Sequence, residues 1–118
     1  MTVPAIIPFQ TLGTPESVAI PPDRVVTGHP STTVDNRYSS SDAKFHAGLW
    51  TSTVGCWQVR YTEHEYCVLT RGRVRLTSTD GVVLEFKAGD AFVIPAGFCG
   101  TWATLEDCAK HYVIYESA

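Results

Sequence analysis

The sequence predicts an all-β protein, a sandwich or barrel built from short strands. From residue 44 onward, segments rich in β-branched and aromatic residues alternate with turn signals, a spacing typical of sandwiches and barrels. Asp80-Gly81 separates two such segments, and Asp-Gly between β runs is a strong hairpin signal. Arg73 to Ser78 alternates polar and apolar side chains, the pattern of a half-buried strand.

The predicted strands follow one another along this part of the chain. They are Lys44–Trp50, Cys56–Tyr61, Glu65–Thr70, Arg73–Ser78, Val82–Lys87, Ala91–Ile94, Cys99–Ala103 and Lys110–Tyr115. Glycine and proline set the φ angles that turns require, and turns at Ala88-Gly89-Asp90 and Pro95-Ala96-Gly97 separate the later strands. Only Thr104–Ala109 could hold a turn of helix.

The first 43 residues have a different character. Residues 4–12 could form a short edge strand, because proline is tolerated there. Residues 13–43 are rich in Pro, Ser, Thr, Gly and Asp, and a structureless loop of this length is unusual inside a compact domain. We therefore divide a single domain into an N-terminal arm and linker, 1–43, and a β-barrel, 44–118. The arm would lie across the body or a partner subunit, or form a partly disordered leader.

Composition limits the possible functions. With 118 residues, of which 44% are hydrophobic and 18% charged, the chain is one globular domain. A net charge of -3 gives no electrostatic reason for binding nucleic acid or an anionic membrane. No apolar run approaches the ~20 residues of a membrane helix, and the N-terminus lacks the basic region of a signal peptide. We expect a cytoplasmic protein, in which Cys56, Cys67, Cys99 and Cys108 are free thiols.

The chemistry is expected around Glu63 and Glu65. Residues two apart on a strand face the same way, and Tyr66 to Leu69 are apolar or aromatic, which predicts burial. Two inward acids are costly unless they are paired. They could bind a cation or an amine, or serve as general acid and base. The structural alternative is a solvent-facing acid, or an ion pair with Lys110, Arg60 or Arg73.

Other candidate residues would complete a pocket around these acids. Tyr61 could donate its hydroxyl to a ligand, or be an ordinary interior tyrosine whose hydroxyl is hydrogen-bonded within the protein. Lys110 would pair with the glutamates if it pointed inward, although an outward-facing lysine is the simpler expectation. Apolar pocket walls could come from Trp50, Trp57, Phe98 and Trp102, although ordinary core packing explains any one of them. Cys99 could act as a nucleophile only beside a base, and the sequence shows none. His46 is better explained as a surface or hydrogen-bonded core histidine.

Two glycine-bounded motifs carry a resemblance to the cupin superfamily. Glu65-x6-Gly72 matches the end of the first cupin motif, and Gly89-x5-Pro95-x-Gly97 matches the start of the second. A wider pattern, over residues 44 to 116, is similar to the cupin domain of (S)-ureidoglycine aminohydrolase and small bacterial relatives of unknown function. Its residues are Gly48-Leu-Trp50, Gly55-x-Trp57, Tyr61-x-Glu63-x-Glu65, Pro95-Ala-Gly97-Phe-x-Gly100-x-Trp102 and Lys110-x-Tyr112. The resemblance implies an RmlC-like jelly roll, the double-stranded β-helix barrel.

The metal ligands of the superfamily are largely missing. Their four positions fall on Val59, Tyr61, Glu65 and Gly100, of which only Glu65 keeps a usual ligand. We therefore predict no cofactor and no metal at the standard site. A displaced site around Glu65 is the alternative.

These observations lead to one functional hypothesis with two alternatives. The chain is expected to be a homodimeric small-molecule-binding cupin, because the resemblance implies pairing and apolar edge strands need cover. Its enzymatic version is acid–base chemistry on a nitrogenous metabolite, as the resemblance to the ureidoglycine enzyme implies. The alternatives are a non-enzymatic ligand sensor and a metal-dependent enzyme with a rearranged site around Glu65.

Overall fold

A computed structural model describes residues 2–117, and these residues fold into nine β-strands and one 3₁₀ turn. The strands are β1 (Glu16–Val18), β2 (Val25–Gly28), β3 (Thr32–Ser39), β4 (Phe45–Ser52), β5 (Gly55–Arg60), β6 (His64–Ser78), β7 (Val83–Lys87), β8 (Ala91–Ile94) and β9 (Cys99–Tyr115). The 3₁₀ turn, Pro22–Arg24, precedes β2. The predicted all-β class is confirmed. Within residues 2–117, no helix is long and apolar enough to cross a membrane.

Two long strands connect the two halves of the barrel. β9 pairs with β5 through its first half and with β4 through its second half, while β6 runs along its other edge. β6 pairs in turn with β8 and then β7, and every strand pairing is antiparallel. One half therefore contains β1, β3, β4 and β8, the other contains β2, β5 and β7, and both share β6 and β9.

The shared strands bend at their middle. The β6–β9 register shifts between Leu69 and Val74, and Gly72 at this point has a φ of +84°. A Cβ at Gly72 would collide with the backbone carbonyl of Asp107. Glycine is required for both reasons, and the bend lets the two long strands take part in both halves of the barrel.

The continuity of these strands corrects the sequence prediction. Glu65–Thr70 and Arg73–Ser78 are one strand, β6, and the possible helical turn at Thr104–Ala109 lies inside β9. The ladder continues through the bend because both strands bend together, with Arg71 opposite Ala109 and Arg73 opposite Glu106. The predicted hairpin at Asp80-Gly81 is confirmed, since the Ser78 N–H donates to the Val82 carbonyl at 2.9 Å.

The N-terminal segment supplies strands to the same sheet. β3 and β4 form an antiparallel hairpin across the predicted boundary at 43/44, from Thr32 opposite Ser52 to Ser39 opposite His46. Residues 4–12, in contrast, form no strand. The Phe9 ring packs edge-on against His111 at 5.2 Å between ring centroids, so this part of the chain lies across the outer face of the barrel.

The core lies between the two halves. Its buried apolar side chains come mainly from the inward positions of β5, β6, β8 and β9, and they are Trp57, Cys67, Leu69, Val74, Leu76, Ile94, Trp102 and Cys108. All four cysteines are free thiols. The core fills one end of the interior, while the other end remains open as a cavity.

Candidate functional site: a buried ion pair beneath a tryptophan-walled cavity

The site is centred on a buried ion pair. The Nζ atom of Lys110 lies 2.7 Å from Oε2 of Glu65, and the two residues are only 4% and 5% exposed. The strand register explains this contact. Lys110 on β9 stands opposite Leu69 on β6, and Glu65, Cys67 and Leu69 share the inner face of that strand because side chains alternate.

Aromatic rings surround the ammonium group. Lys110 Nζ lies 4.5 Å from the ring centroids of both Trp50 and Trp102, a distance typical of cation–π contacts. Those two rings meet edge to face at 5.2 Å, and Trp57 lies against both of them. The rings exclude water from one side of the ion pair. Their electron-rich faces partly replace the water that would otherwise hydrate the Lys110 ammonium.

Electrostatics keep Lys110 charged. Burial is the largest single influence and would lower the pKa of the Lys110 ammonium, but the charge and hydrogen bond of Glu65, together with Tyr61 and Cys67, raise it overall. Burial raises the pKa of the Tyr61 hydroxyl well above its ordinary value, although the Lys110 charge acts in the opposite direction. Near neutral pH the cavity therefore presents an ammonium group and a protonated phenol.

The pair leaves hydrogen-bonding capacity facing the cavity. Oε2 of Glu65 accepts from Lys110 and also from the Cys67 thiol, whose Sγ lies at 3.2 Å. Among residues 2–117, no donor reaches Oε1 of Glu65, and the neighbours of Lys110 Nζ are Oε2 of Glu65 and the Cys67 sulfur. An ammonium carries three N–H donors and a carboxylate has two oxygens. A ligand thus meets an available donor and an available acceptor side by side.

The cavity above the pair has a volume of about 460 Å³, within the range of small-molecule sites. Its walls come from the sheet and from the segment that precedes β2. The polar groups that line it, apart from the ion pair, are Arg24, Thr32, Asn36, His46, Gln58, Arg60, Tyr61, Glu63 and Tyr112. Val18, Ile20 and Pro21 add apolar surface. The cavity therefore combines apolar and aromatic walls with many polar groups, which could fix the orientation of a polar ligand.

Most of the predicted site residues line this one cavity. They are Trp50, Trp57, Tyr61, Glu63, Glu65, Trp102 and Lys110. Glu63 lies in a bend before β6 rather than on the strand, and its Oε2 accepts a hydrogen bond from Thr62. Phe98 and Cys99 do not line the cavity. Phe98 packs against Tyr61 at 6.3 Å, and Cys99 lines a neighbouring depression.

Sequence reasoning did not select several of the lining residues. Tyr112 follows Lys110 by two positions, and this spacing could have identified it, because both side chains then face inward. Its hydroxyl donates to Oδ1 of Asn36 at 2.7 Å. His46 lines the cavity with both ring nitrogens paired, to the Ser39 hydroxyl and the Ala43 carbonyl. It is therefore a hydrogen-bonded histidine, as predicted.

The usual cupin metal positions do not fit a divalent cation here. Val59 has no donor atom, Gly100 has no side chain, and Glu65 is already paired with an ammonium at 2.7 Å. Across residues 2–117, no three His, Cys, Asp or Glu side chains are placed to hold a metal ion together. A cation at Glu65 would have to displace the Lys110 charge or bind beside it, which like-charge repulsion opposes.

The two halves joined by shared long strands, with a cavity between them, define a cupin-type jelly roll. The chain belongs to the EutQ-like cupin family, whose model matches residues 39–112. The superfamily predicted from the motifs is therefore confirmed. These matches do not confirm the narrower resemblance to the ureidoglycine aminohydrolase domain. No curated protein matches the chain.

Solved structures share this fold. A protein of unknown function from Pseudomonas syringae pv. tomato, in the DUF861 family, is 23% identical with a TM-score of 0.80, over 92% of this chain and 46% of that one. EutQ from Clostridium difficile is 13% identical with a TM-score of 0.67, and the match covers 84% of this chain and 74% of EutQ. A DUF861 protein from Thermotoga maritima is 31% identical with a TM-score of 0.53, and the match covers 54% of this chain and 73% of the Thermotoga protein. The chain thus spans less than half the length of the Pseudomonas protein.

Alkaline pH is expected to destabilise the fold progressively between pH 9 and about pH 12. Burial raises the pKa of the Cys67 thiol from 9.0 to about 12, and that of the Tyr112 hydroxyl from 10.0 to about 12. The folded chain then holds protons that the unfolded chain has released, so this stabilisation is complete below pH 9 and is lost as pH rises. Urea unfolding across this range measures the effect. The free energy of unfolding should fall less steeply with pH in Cys67→Ala than in the wild-type chain. An equally steep fall would show that the Cys67 thiol does not contribute to the loss of stability.

Proposed function

We propose that the chain is a small-molecule-binding cupin that acts on an amide- or ureido-bearing nitrogenous metabolite without a metal ion. The observation that supports this proposal is the Lys110–Glu65 pair, which offers a free N–H donor beside a free carboxylate oxygen. An amide or ureido group carries the complementary acceptor and donor next to each other. The Trp50 and Trp102 rings would cover the planar group, since aromatic faces stack on it.

The enzymatic version of the proposal assigns different roles to the two charged residues. Oε1 of Glu65 accepts a proton from a water molecule as that water adds to the ligand's carbonyl carbon, and returns the proton to the nitrogen, which leaves as ammonia when the C–N bond breaks. Lys110, with its raised pKa, keeps its protons and stabilises the negative charge that develops on the ligand's oxygen. The similarity of Tyr61-x-Glu63-x-Glu65 and Lys110-x-Tyr112 to the ureidoglycine aminohydrolase pattern supports a substrate of that class.

A non-enzymatic ligand sensor is the second candidate, and one observation favours it. The raised pKa values of Lys110 and Tyr61 mean that neither group releases a proton easily near neutral pH. Efficient general acids have a pKa near the working pH. A pocket in which Lys110 and Tyr61 keep their protons suits binding and recognition as well as turnover.

Glu65→Gln tests the proposal, because glutamine keeps the shape of the side chain but loses its charge. Neutral diamides (succinamide, glutaramide and adipamide) and ethylurea are the probes, with binding followed by tryptophan fluorescence and turnover by released ammonia. We expect Glu65→Gln to be less stable but still folded, because its amide oxygen can still accept from Lys110, and to lose at least about tenfold in affinity, because the charged acceptor for the ligand's N–H is gone. The matched control is Glu106→Gln, since Glu106 is exposed and lies outside the cavity.

The outcomes separate the three hypotheses. Loss of ammonia release in folded Glu65→Gln supports the enzyme, while loss of binding with no turnover in either protein supports the sensor. Elemental analysis of the same untagged preparations tests the third hypothesis. One first-row transition metal per chain, lost in Glu65→Gln, would replace the metal-free proposal by a rearranged metal site. Unaltered binding in Glu65→Gln would exclude Glu65 from the site.

We also propose that the chain forms a homodimer through the outer face of β4, β6, β8 and β9. Phe45, Tyr66, Val93 and Tyr115 are exposed on this face. The register joins them, with Tyr66 opposite Val93 and Tyr115 opposite Phe45. Contiguous apolar patches on sheet faces are typical of interaction sites.

Light scattering of the wild-type chain should give twice the monomer mass. Tyr66→Lys should give the monomer mass, while the control Val82→Lys should remain a dimer. A monomeric wild-type chain would contradict the proposal.

A further inference from the structure

A second depression adjoins the cavity. It has a volume of about 490 Å³ and shares four lining residues with the cavity, namely Arg24, Gln58, Val59 and Arg60. Its remaining surface is rich in hydroxyl groups, from Thr77, Ser78, Thr79 and Thr101. The two spaces therefore meet at a rim formed by β5 and the 3₁₀ turn, with the cavity on the face of β5 that carries Trp57 and the depression on the face that carries Gln58. A ligand longer than the cavity would extend over this rim.

The strand register places two arginines on the rim. β2 reaches β5 only as far as Val25 opposite Trp57, so Arg24, one residue earlier, comes next to Gln58. Arg60 follows Gln58 by two residues on the same strand and hence extends from the same side. Beyond Trp57, β5 has no β2 partner, and its edge is open between the two spaces.

Neither of these guanidinium groups is neutralised by the protein. Arg37, Arg73 and Arg75 each form an ion pair with a carboxylate. Within residues 2–117, no carboxylate lies within ion-pair distance of Arg24 or Arg60, and no acidic residue lines the second depression. Guanidinium groups without a carboxylate partner, beside hydroxyl donors, are suited to a carboxylate or a phosphate.

We infer that Arg24 and Arg60 form an anion subsite, so that the ligand carries a carboxylate or phosphate at the end opposite its amide or ureido group. This inference rests on the proposed function, because it assigns the other end of the same ligand. Arg24 also lies outside the matched family region, residues 39–112. The N-terminal segment therefore supplies a specificity element that the family region lacks.

Paired probes that differ only in charge test the subsite. Succinamate, glutaramate and adipamate each carry an amide at one end and a carboxylate at the other, and the corresponding diamides are their neutral controls. We expect one chain length to bind about tenfold more tightly than its diamide, because a carboxylate gains charge-assisted hydrogen bonds. Arg24→Gln and Arg60→Gln should reduce this preference, and the double variant should abolish it. Arg71→Gln is the matched control, since Arg71 is exposed and lines neither space.

A second measurement examines the anion subsite independently of the amide end. Acetate and inorganic phosphate are titrated while the arginine Nε–H signals are followed by ¹⁵N NMR. The signals of Arg24 and Arg60 are identified by their absence from the spectra of Arg24→Gln and Arg60→Gln. The anion that shifts both of these signals is the one that the subsite prefers. If diamides bind but no anion is preferred, the subsite is wrong and the proposed function stands. If anions shift those signals but no amide binds, the proposed function fails and the subsite stands. No response to any probe, or an equal loss in Arg71→Gln, overturns the subsite.

Discussion

Replacement of Lys110 by methionine is expected to lower the free energy of unfolding by about 3–5 kcal/mol. The substitution leaves Glu65, which is 5% exposed, as a buried carboxylate whose ion-pair partner at 2.7 Å has been removed. Such a charge keeps its desolvation penalty without the compensating attraction. Urea unfolding followed by tryptophan fluorescence measures the loss, and Lys44→Met is the matched control because Lys44 is exposed.

The double variant Lys110→Met/Glu65→Leu distinguishes a charge effect from lost packing. Replacing both members of a buried pair by apolar residues is often neutral or stabilising, so the double variant should be more stable than Lys110→Met alone. It should also fail to bind the diamides, because donor and acceptor are both gone. If the double variant is as unstable as the sum of the single variants, the pair is not the reason that Lys110 stabilises the fold.

Gly100→Ala is expected to have the second largest effect, about 3 kcal/mol, at the upper end of the range for overpacking. Gly100 lies between Val59 of β5 and Ser78 of β6. A Cβ at this position would collide with the carbonyl of Thr77 and lie 2.9 Å from the Ser78 Cα. These are backbone atoms in paired strands, which cannot move aside as a side chain could. Thermal and urea unfolding of the variant measure the loss.

Gly97→Ala provides the control for Gly100→Ala. Gly97 has a φ of +94° and open space around its missing Cβ, so alanine there meets only the conformational cost of about 1–2 kcal/mol. Gly100→His, which restores the usual metal-ligand type at this position, should unfold the chain rather than bind metal. A stable Gly100→His protein that binds zinc would contradict the steric explanation.

The barrel could be predicted because its strands carry local signals. Asp80-Gly81 and Ala91–Ile94 match their predicted roles in the structure. β3 was not predicted, since its polar residues lie in a segment rich in turn formers. Thr104–Ala109 contains Leu, Glu and Ala, which favour helix, yet pairing with β6 makes it strand. Pairing between distant strands overrides local propensity, and a single sequence does not display it.

The site was predictable only in part, for a similar reason. Glu65 stood out because an inward carboxylate on an apolar strand needs a partner. Lys110 was a candidate only if it pointed inward, and the structure joins the two at 2.7 Å. Arg24 and Arg60 gave no such signal, because arginine is ordinarily exposed. Their position on one rim depends on the β2–β5 register, which no spacing within the sequence reveals. Phe98 was expected as an apolar wall, yet it packs against Tyr61 outside the lining of the cavity, and Cys99 lines the second depression instead.

The sharing of β6 and β9 by both halves of the barrel has a consequence for how the molecule opens. Neither half can separate without breaking the ladder of the other, so amide hydrogens of these strands should exchange only through global unfolding. The segment from β1 to β2 is attached only at the sheet edges, by pairing with β3 and β5. Ligand entry can therefore proceed by local opening of that segment, which leaves the floor of the cavity rigid.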